Sequence, residues 1–120
     1  MKSKAEHPRV GQAVRGSRTG RPIMVALDLL GRRGALRILW ELRGGDPLTF
    51  RALQEAAATN PALLNKRLAE LRAAAVITHA GRGYELTPDG RALLTALRPL
   101  EAWASRWAGA PPVAGPAGRP

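Results

Sequence analysis

The side chains able to do covalent or metal chemistry are few in this 120-residue chain and do not converge. Cysteine is absent, which removes disulfides, thiolate nucleophiles, Cys-ligated zinc and thiol-based redox sensing together. The two histidines, His7 and His79, fall in an N-terminal tail and a strand-like segment, so a metal site would need carboxylates from elsewhere, and ordinary solvated side chains are the simpler reading. There is no carboxylate pair at a working spacing, no serine in a nucleophile turn and no glycine-rich phosphate loop, and Gly81-Arg82-Gly83 is too short to cradle a nucleotide. The expectation is no enzyme activity, no cofactor and no metal.

What the chain does carry is cationic side chains, suited to anion recognition. The formal net charge is +10. Residues 1–21 hold six cations (Lys2, Lys4, Arg9, Arg15, Arg18, Arg21) against Glu6, residues 22–108 hold twelve against eight acids, and Arg119 adds one more. A basic arm on a mildly basic domain attracts polyanions, and duplex DNA is the densest of these that a small protein commonly meets. Acidic membranes compete less well. No stretch approaches ~18 consecutive apolar residues, and no apolar run follows the N-terminal charges as in a signal peptide. A cytoplasmic protein without membrane contact is therefore expected.

The elements that must position these cations follow from periodicity and punctuation. Residues 1–20 mix Gly, Ser, Arg and Lys without period and read as a disordered basic arm, while residues 109–120 are Pro- and Gly-rich and read as a disordered tail. The span 21–108 is left as one domain with a single core. With one Phe, one Tyr and three Trp, that core must be mainly aliphatic, which suits helices. Pro22 opens a first helix to about Gly31, with Ile23, Ala26, Leu27 and Leu30 on one face. A second spans about Ala35 to Arg43, with Leu36, Ile38, Leu39, Trp40 and Leu42 inward. After an extended Pro47-Leu48-Thr49, Thr49 caps a short helix from Phe50 to about Ala57, and Asn60-Pro61 starts another to about Ala74. Val76 to Thr78 and Tyr84 to Thr87 form a hairpin across Gly81-Arg82-Gly83. Thr87-Pro88 then opens a long helix to about Trp107, which Pro99 should bend.

This order, mainly α with a small β-hairpin, is that of a winged helix-turn-helix with additional N- and C-terminal helices. In the helix from Pro61, Leu64, Leu68 and Leu71 cluster within about 60° at helical spacing and must be buried. The opposite side carries Ala62, Lys66, Ala69 and Ala73 with Asn65 beside them: a slim face with a few donors for base edges or phosphates. Arg67 and Arg72 flank it and suit phosphates. Asn60 and Pro61 mark its positive dipole end, and Thr49 and Arg51 on the preceding helix complete that cluster. Arg82, between two glycines, is shaped to lie on a phosphate or in a minor groove. The simpler reading, solvated charges on an amphipathic helix, is weakened by the helix, turn and basic hairpin arriving in the right order.

The two terminal helices carry more apolar surface than so small a core can cover. Ile23, Leu27, Leu30, Trp40, Leu97, Leu100, Trp103 and Trp107 are therefore expected at a dimer interface or a ligand pocket, with Trp103 and Trp107 folding back on Ile23 or Trp40 as the alternative. A homodimer would double the phosphate contacts of one short reading helix.

The strings RPIMVALDLLGRR (21–33), ILWEL (38–42), PLTFRALQ (47–54), LLNKRLAEL (63–71) and YELTPDGRALL (84–94) resemble the HxlR group of bacterial regulators over about residues 21–108. The resemblance implies a winged-helix dimer joined through its first and last helices on a pseudo-palindromic operator. There are departures. Members that sense electrophiles or oxidants have a cysteine just before the first helix's proline, where this chain has Arg21; Gly34 stands where a tryptophan is usual; and the wing is shorter. The MarR-like proteins are the neighbouring winged-helix alternative. Expected partners are thus double-stranded DNA, a second copy and an apolar small-molecule effector. The rival is a winged helix turned to small-molecule sequestration or protein interaction, its tryptophans lining an apolar pocket between subunits.

Overall fold

The computed structural model describes residues 21–110. The expected arm at 1–20 and the tail from 111 onward lie outside the described residues. Five helices and one hairpin follow in order: α1 (Pro22–Leu30), α2 (Ala35–Glu41), α3 (Phe50–Ala56), α4 (Pro61–Ala73), β1 (Ile77–Ala80), β2 (Gly83–Leu86) and α5 (Pro88–Gly109).

Each start signal has a physical counterpart. The Thr49 hydroxyl accepts the Ala52 N–H at 3.1 Å, the Asn60 Oδ1 accepts that of Leu63 at 2.9 Å, and the Thr87 hydroxyl accepts that of Gly90 at 3.0 Å. Each cap satisfies a first-turn donor that the helix leaves unpaired. Proline follows at the first helical position in α1, α4 and α5. The end of α4 is a Schellman closure, in which Val76 N–H reaches the Leu71 carbonyl and Ala75 N–H that of Arg72. Ala75 holds the left-handed position, φ +64°, that glycine usually takes. The turn between α3 and α4 likewise passes through Ala58 at φ +54°.

The core draws on every element. Leu29 of α1, Ile38, Leu39 and Leu42 of α2 and its cap, Leu53 of α3, Leu64, Leu68 and Leu71 of α4, and Ile77, Tyr84 and Leu86 of the hairpin form one buried cluster. Beside it, α5 lays half-buried Leu93 and Leu94. Strands β1 and β2 pair antiparallel, from Ile77 opposite Leu86 to Ala80 opposite Gly83, so Gly81 and Arg82 make the turn. The strands thus sit nearer that turn than the β-branched run suggests. Leu48 joins them through two backbone hydrogen bonds with Tyr84, 2.9 and 2.8 Å. At Gly83, a Cβ would stand 2.4 Å from the Leu48 carbonyl oxygen, so only glycine admits this third segment.

One expectation is corrected. Leu36 and Trp40 are not inward: both are exposed, because α2 buries the arc of Ala35, Ile38 and Leu39. In α1 the buried residues are Val25 and Leu29, whereas Ile23 and Leu27 are 62% and 54% exposed. This helix is apolar around most of its girth, so its sequence did not single out the inward arc. Helix α5 runs through Pro99 to Gly109, close to its expected end.

Candidate nucleic-acid interface

The α3–α4 pair is a helix-turn-helix with its second helix anchored on one side only. Leu64, Leu68 and Leu71 are buried, as their spacing requires, and they fix the rotation of α4. Ala62, Asn65, Lys66, Ala69, Arg72 and Ala73 are consequently all exposed. Lys66 and Arg72 make no hydrogen bond or ion pair among the described residues. The alanines keep this surface low, so a duplex could approach the helix backbone closely. Asn60 and Pro61 are exposed at its N-terminus, with the Asn60 side chain engaged as the cap. Thr49 and Arg51 are exposed at the start of α3, Thr49 also as a cap. Arg82 is exposed at the tip of the hairpin.

Arg67 behaves differently from the expectation of a phosphate-facing flank. Its Nε donates to the Arg33 carbonyl at 2.7 Å and its Nη1 to Glu70 Oε1 at 3.0 Å, leaving the side chain 11% exposed. Glu70 also receives Arg32 Nη1 at 3.2 Å, and Arg32 Nη2 reaches Asp28 Oδ2 at 2.8 Å. The chain Asp28–Arg32–Glu70–Arg67 thus ties α1 and the turn after it to the middle of α4. With both oxygens bonded to guanidinium groups, Glu70 is a buried charge with paired neighbours, the form in which burial is tolerated. Sequence reasoning missed Glu70, although its place beside the leucine stripe, three residues after Arg67, was a readable signal. Arg67 belongs to this internal brace and leaves the set of free cations.

The candidate interface residues divide. Ile23 and Leu27 form an exposed strip on α1; Trp103 and Trp107 stack one turn apart, ring centroids 5.3 Å, near the end of α5, and Trp107 is 65% exposed. Trp40 and Leu100 are exposed and Leu97 is half-buried, and all three line a groove between α2 and α5. Leu30 instead packs against the core. On the hairpin, His79 and Tyr84 stack at 4.1 Å.

Among the described residues no group of three or more His, Asp or Glu could hold a metal ion, and no helix is long and apolar enough to cross a membrane. No protein-family model matches the chain, and no curated protein matches it either. Solved structures do match. The quinone-bound YodB from B. subtilis is 29% identical, with 70% of this chain and 96% of that one covered at a TM-score of 0.65. The reduced form of the transcriptional regulator YodB is 28% identical, with 73% and 94% covered at 0.63. Reduced HlyU from Vibrio cholerae, 22% identical with 65% and 86% covered at 0.55, shares the fold. The chain has the winged helix-turn-helix fold of these structures.

Proposed function

We propose that this protein is a DNA-binding transcriptional regulator of the HxlR type, acting in the cytoplasm as a homodimer, with α4 as its recognition helix. The observation that carries the reading is the face of α4 around Ala62, Asn65, Lys66 and Ala69, solvent-facing and low in profile on a helix whose leucines are locked in the core. Inserted in a major groove, this face would bring Asn65 and Lys66 to base edges, while Thr49, Arg51, Arg72 and Arg82 would meet phosphates along the flank. The net charge of +10 supports a polyanion partner. Similarity to YodB over nearly its whole length supports regulation as the output.

The second copy is the proposed cover for Ile23 and Leu27 on α1 and for the Trp103–Trp107 stack on α5. A two-fold dimer would then set two α4 helices about 34–36 Å apart, one turn of DNA. An apolar effector would act by changing that separation. Cysteine chemistry is not its signal, since the chain has none.

The test is a gel-shift with the DNA upstream of the protein's own gene at two salt concentrations. Binding should weaken steeply with salt, and Lys66→Glu should nearly abolish it with the circular dichroism spectrum unchanged. Normal binding by Lys66→Glu would sink the role of α4. Tryptophan quenching by a small molecule with no DNA binding at all would favour the sequestration reading.

A further inference from the structure

The groove between α2 and α5 has a volume of about 860 Å³, in the range of small-molecule sites. Leu36 and Trp40 form its wall on α2, and Leu94, Leu97 and Leu100 the wall on α5. Its ionic groups are lopsided. Arg37, Arg43, Arg91 and Arg98 line it against a single carboxylate, Glu101.

One of these guanidinium groups is already neutralised, since Arg37 Nε pairs with Glu41 at 2.8 Å. Among the described residues the other three have no anion. Arg43 lies over the Trp40 ring, 4.1 Å from its centroid, and donates to the Trp40 carbonyl; Arg91 donates to the Leu86 carbonyl at 3.2 Å. Arg98 makes no hydrogen bond or ion pair among the described residues. Arg91 and Arg98, seven residues apart, fall on the same stripe of α5. Cations held by neutral carbonyls and an aromatic face, beside a wall of leucines, fit an occupant with an apolar body and an anionic head.

The exposed apolar strip of α1 does not fit this description, since its one acidic side chain, Asp28, is engaged by Arg32. An α1 helix from a second copy would bring no free carboxylate to three guanidinium groups.

We propose that the α2–α5 groove is a binding site for an amphipathic organic anion, a carboxylate on an aromatic or acyl body of about ten carbons. The body lies between Trp40 and Leu97, and the carboxylate meets Arg98 with Arg43 or Arg91. The assignment stands on the groove's own geometry, whether or not α4 reads DNA.

Titration calorimetry at neutral pH, without DNA, tests it with 2-naphthoate and decanoate against the neutral 2-naphthol and decanol. At least one carboxylate should bind saturably, and its alcohol about tenfold more weakly or not at all. Arg98→Gln should cost that carboxylate about tenfold. Arg98 is exposed and unpartnered, so this variant keeps its fold. Trp40→Ala should weaken carboxylate and alcohol together. Saturable binding by neither carboxylate, equal binding of acid and alcohol, or indifference to Arg98→Gln each overturns the proposal. Lys66→Glu should bind the anion as the parent does, so a parent protein that binds DNA but neither carboxylate refutes the groove alone.

Discussion

Replacing Gly90 by alanine sets two effects of opposite sign against each other. Gly90 lies in the first turn of α5, where alanine would gain up to ~1 kcal/mol of helix propensity. The structure opposes this, because a Cβ there would stand 2.0 Å from the Val76 carbonyl oxygen and 3.2 Å from Leu86 Cδ2. Relief requires α5 to move away from the hairpin by about 1 Å, the gap to the closest separation real Cβ atoms tolerate. That movement strains the joint where the Val76 carbonyl accepts the Thr87 N–H at 3.1 Å and the Ala75 carbonyl accepts the Thr87 hydroxyl at 2.6 Å. Losing both bonds costs roughly 1–3 kcal/mol, and partial uncovering of Leu86 adds about 1–2 kcal/mol. After the propensity gain, the net loss is about 1–4 kcal/mol, or a fall in Tm of roughly 5–30 °C for a domain of this size. Thermal and urea unfolding measure it, with Gly109→Ala as control, since nothing lies within 4 Å of a Cβ at Gly109. That control should change stability by less than about 0.5 kcal/mol. A Gly90→Ala protein as stable as its parent would refute the close approach of α5 to the end of α4.

Three further outcomes are expected. Glu70→Ala leaves Arg32 and Arg67 facing one another without their shared carboxylate, with a loss of about 2–3 kcal/mol in urea unfolding, and a double-mutant cycle with Arg67→Ala should show coupling above about 1 kcal/mol; strict additivity would dissolve the brace. Ala75→Gly relieves a left-handed residue at an exposed helix end and should stabilise by about 0.5–1 kcal/mol, so a lowered Tm would contradict the Schellman geometry. Ile23→Glu combined with Leu27→Glu should give monomers by light scattering with helix content retained, as neither side chain belongs to the core; dimers that persist would place the interface elsewhere.

Much of this architecture was legible because its punctuation is local. Asn60-Pro61 and Thr87-Pro88 specify both a cap and the first helical turn, and three leucines at helical steps in α4 leave one possible inward side. The hairpin and its glycine turn were equally plain. What escaped were features decided by the third dimension. In α1, apolar residues surround the helix, so periodicity could not choose Val25 and Leu29 over Ile23 and Leu27. In α2, Trp40 looks like core by type yet lies on the outer arc under the Arg43 guanidinium. Arg67 has the composition of a phosphate ligand, and only the arrival of Arg33 and Glu70 from other places turns it into an internal strut.

The paired backbone bonds between Leu48 and Tyr84 determine which joints of the molecule can give. They sew the hairpin to the residues just ahead of α3, and Gly83 is in contact beneath the seam. Hinging the hairpin tip relative to α4 would mean opening two sheltered hydrogen bonds, at about 1 kcal/mol apiece, and uncovering Tyr84. Helix pair and hairpin therefore travel as one stiff block. In the proposed dimer, any compliance needed to match an uneven target would come from the seam between two such blocks, where the exposed strips of α1 and α5 leave room for rolling and sliding.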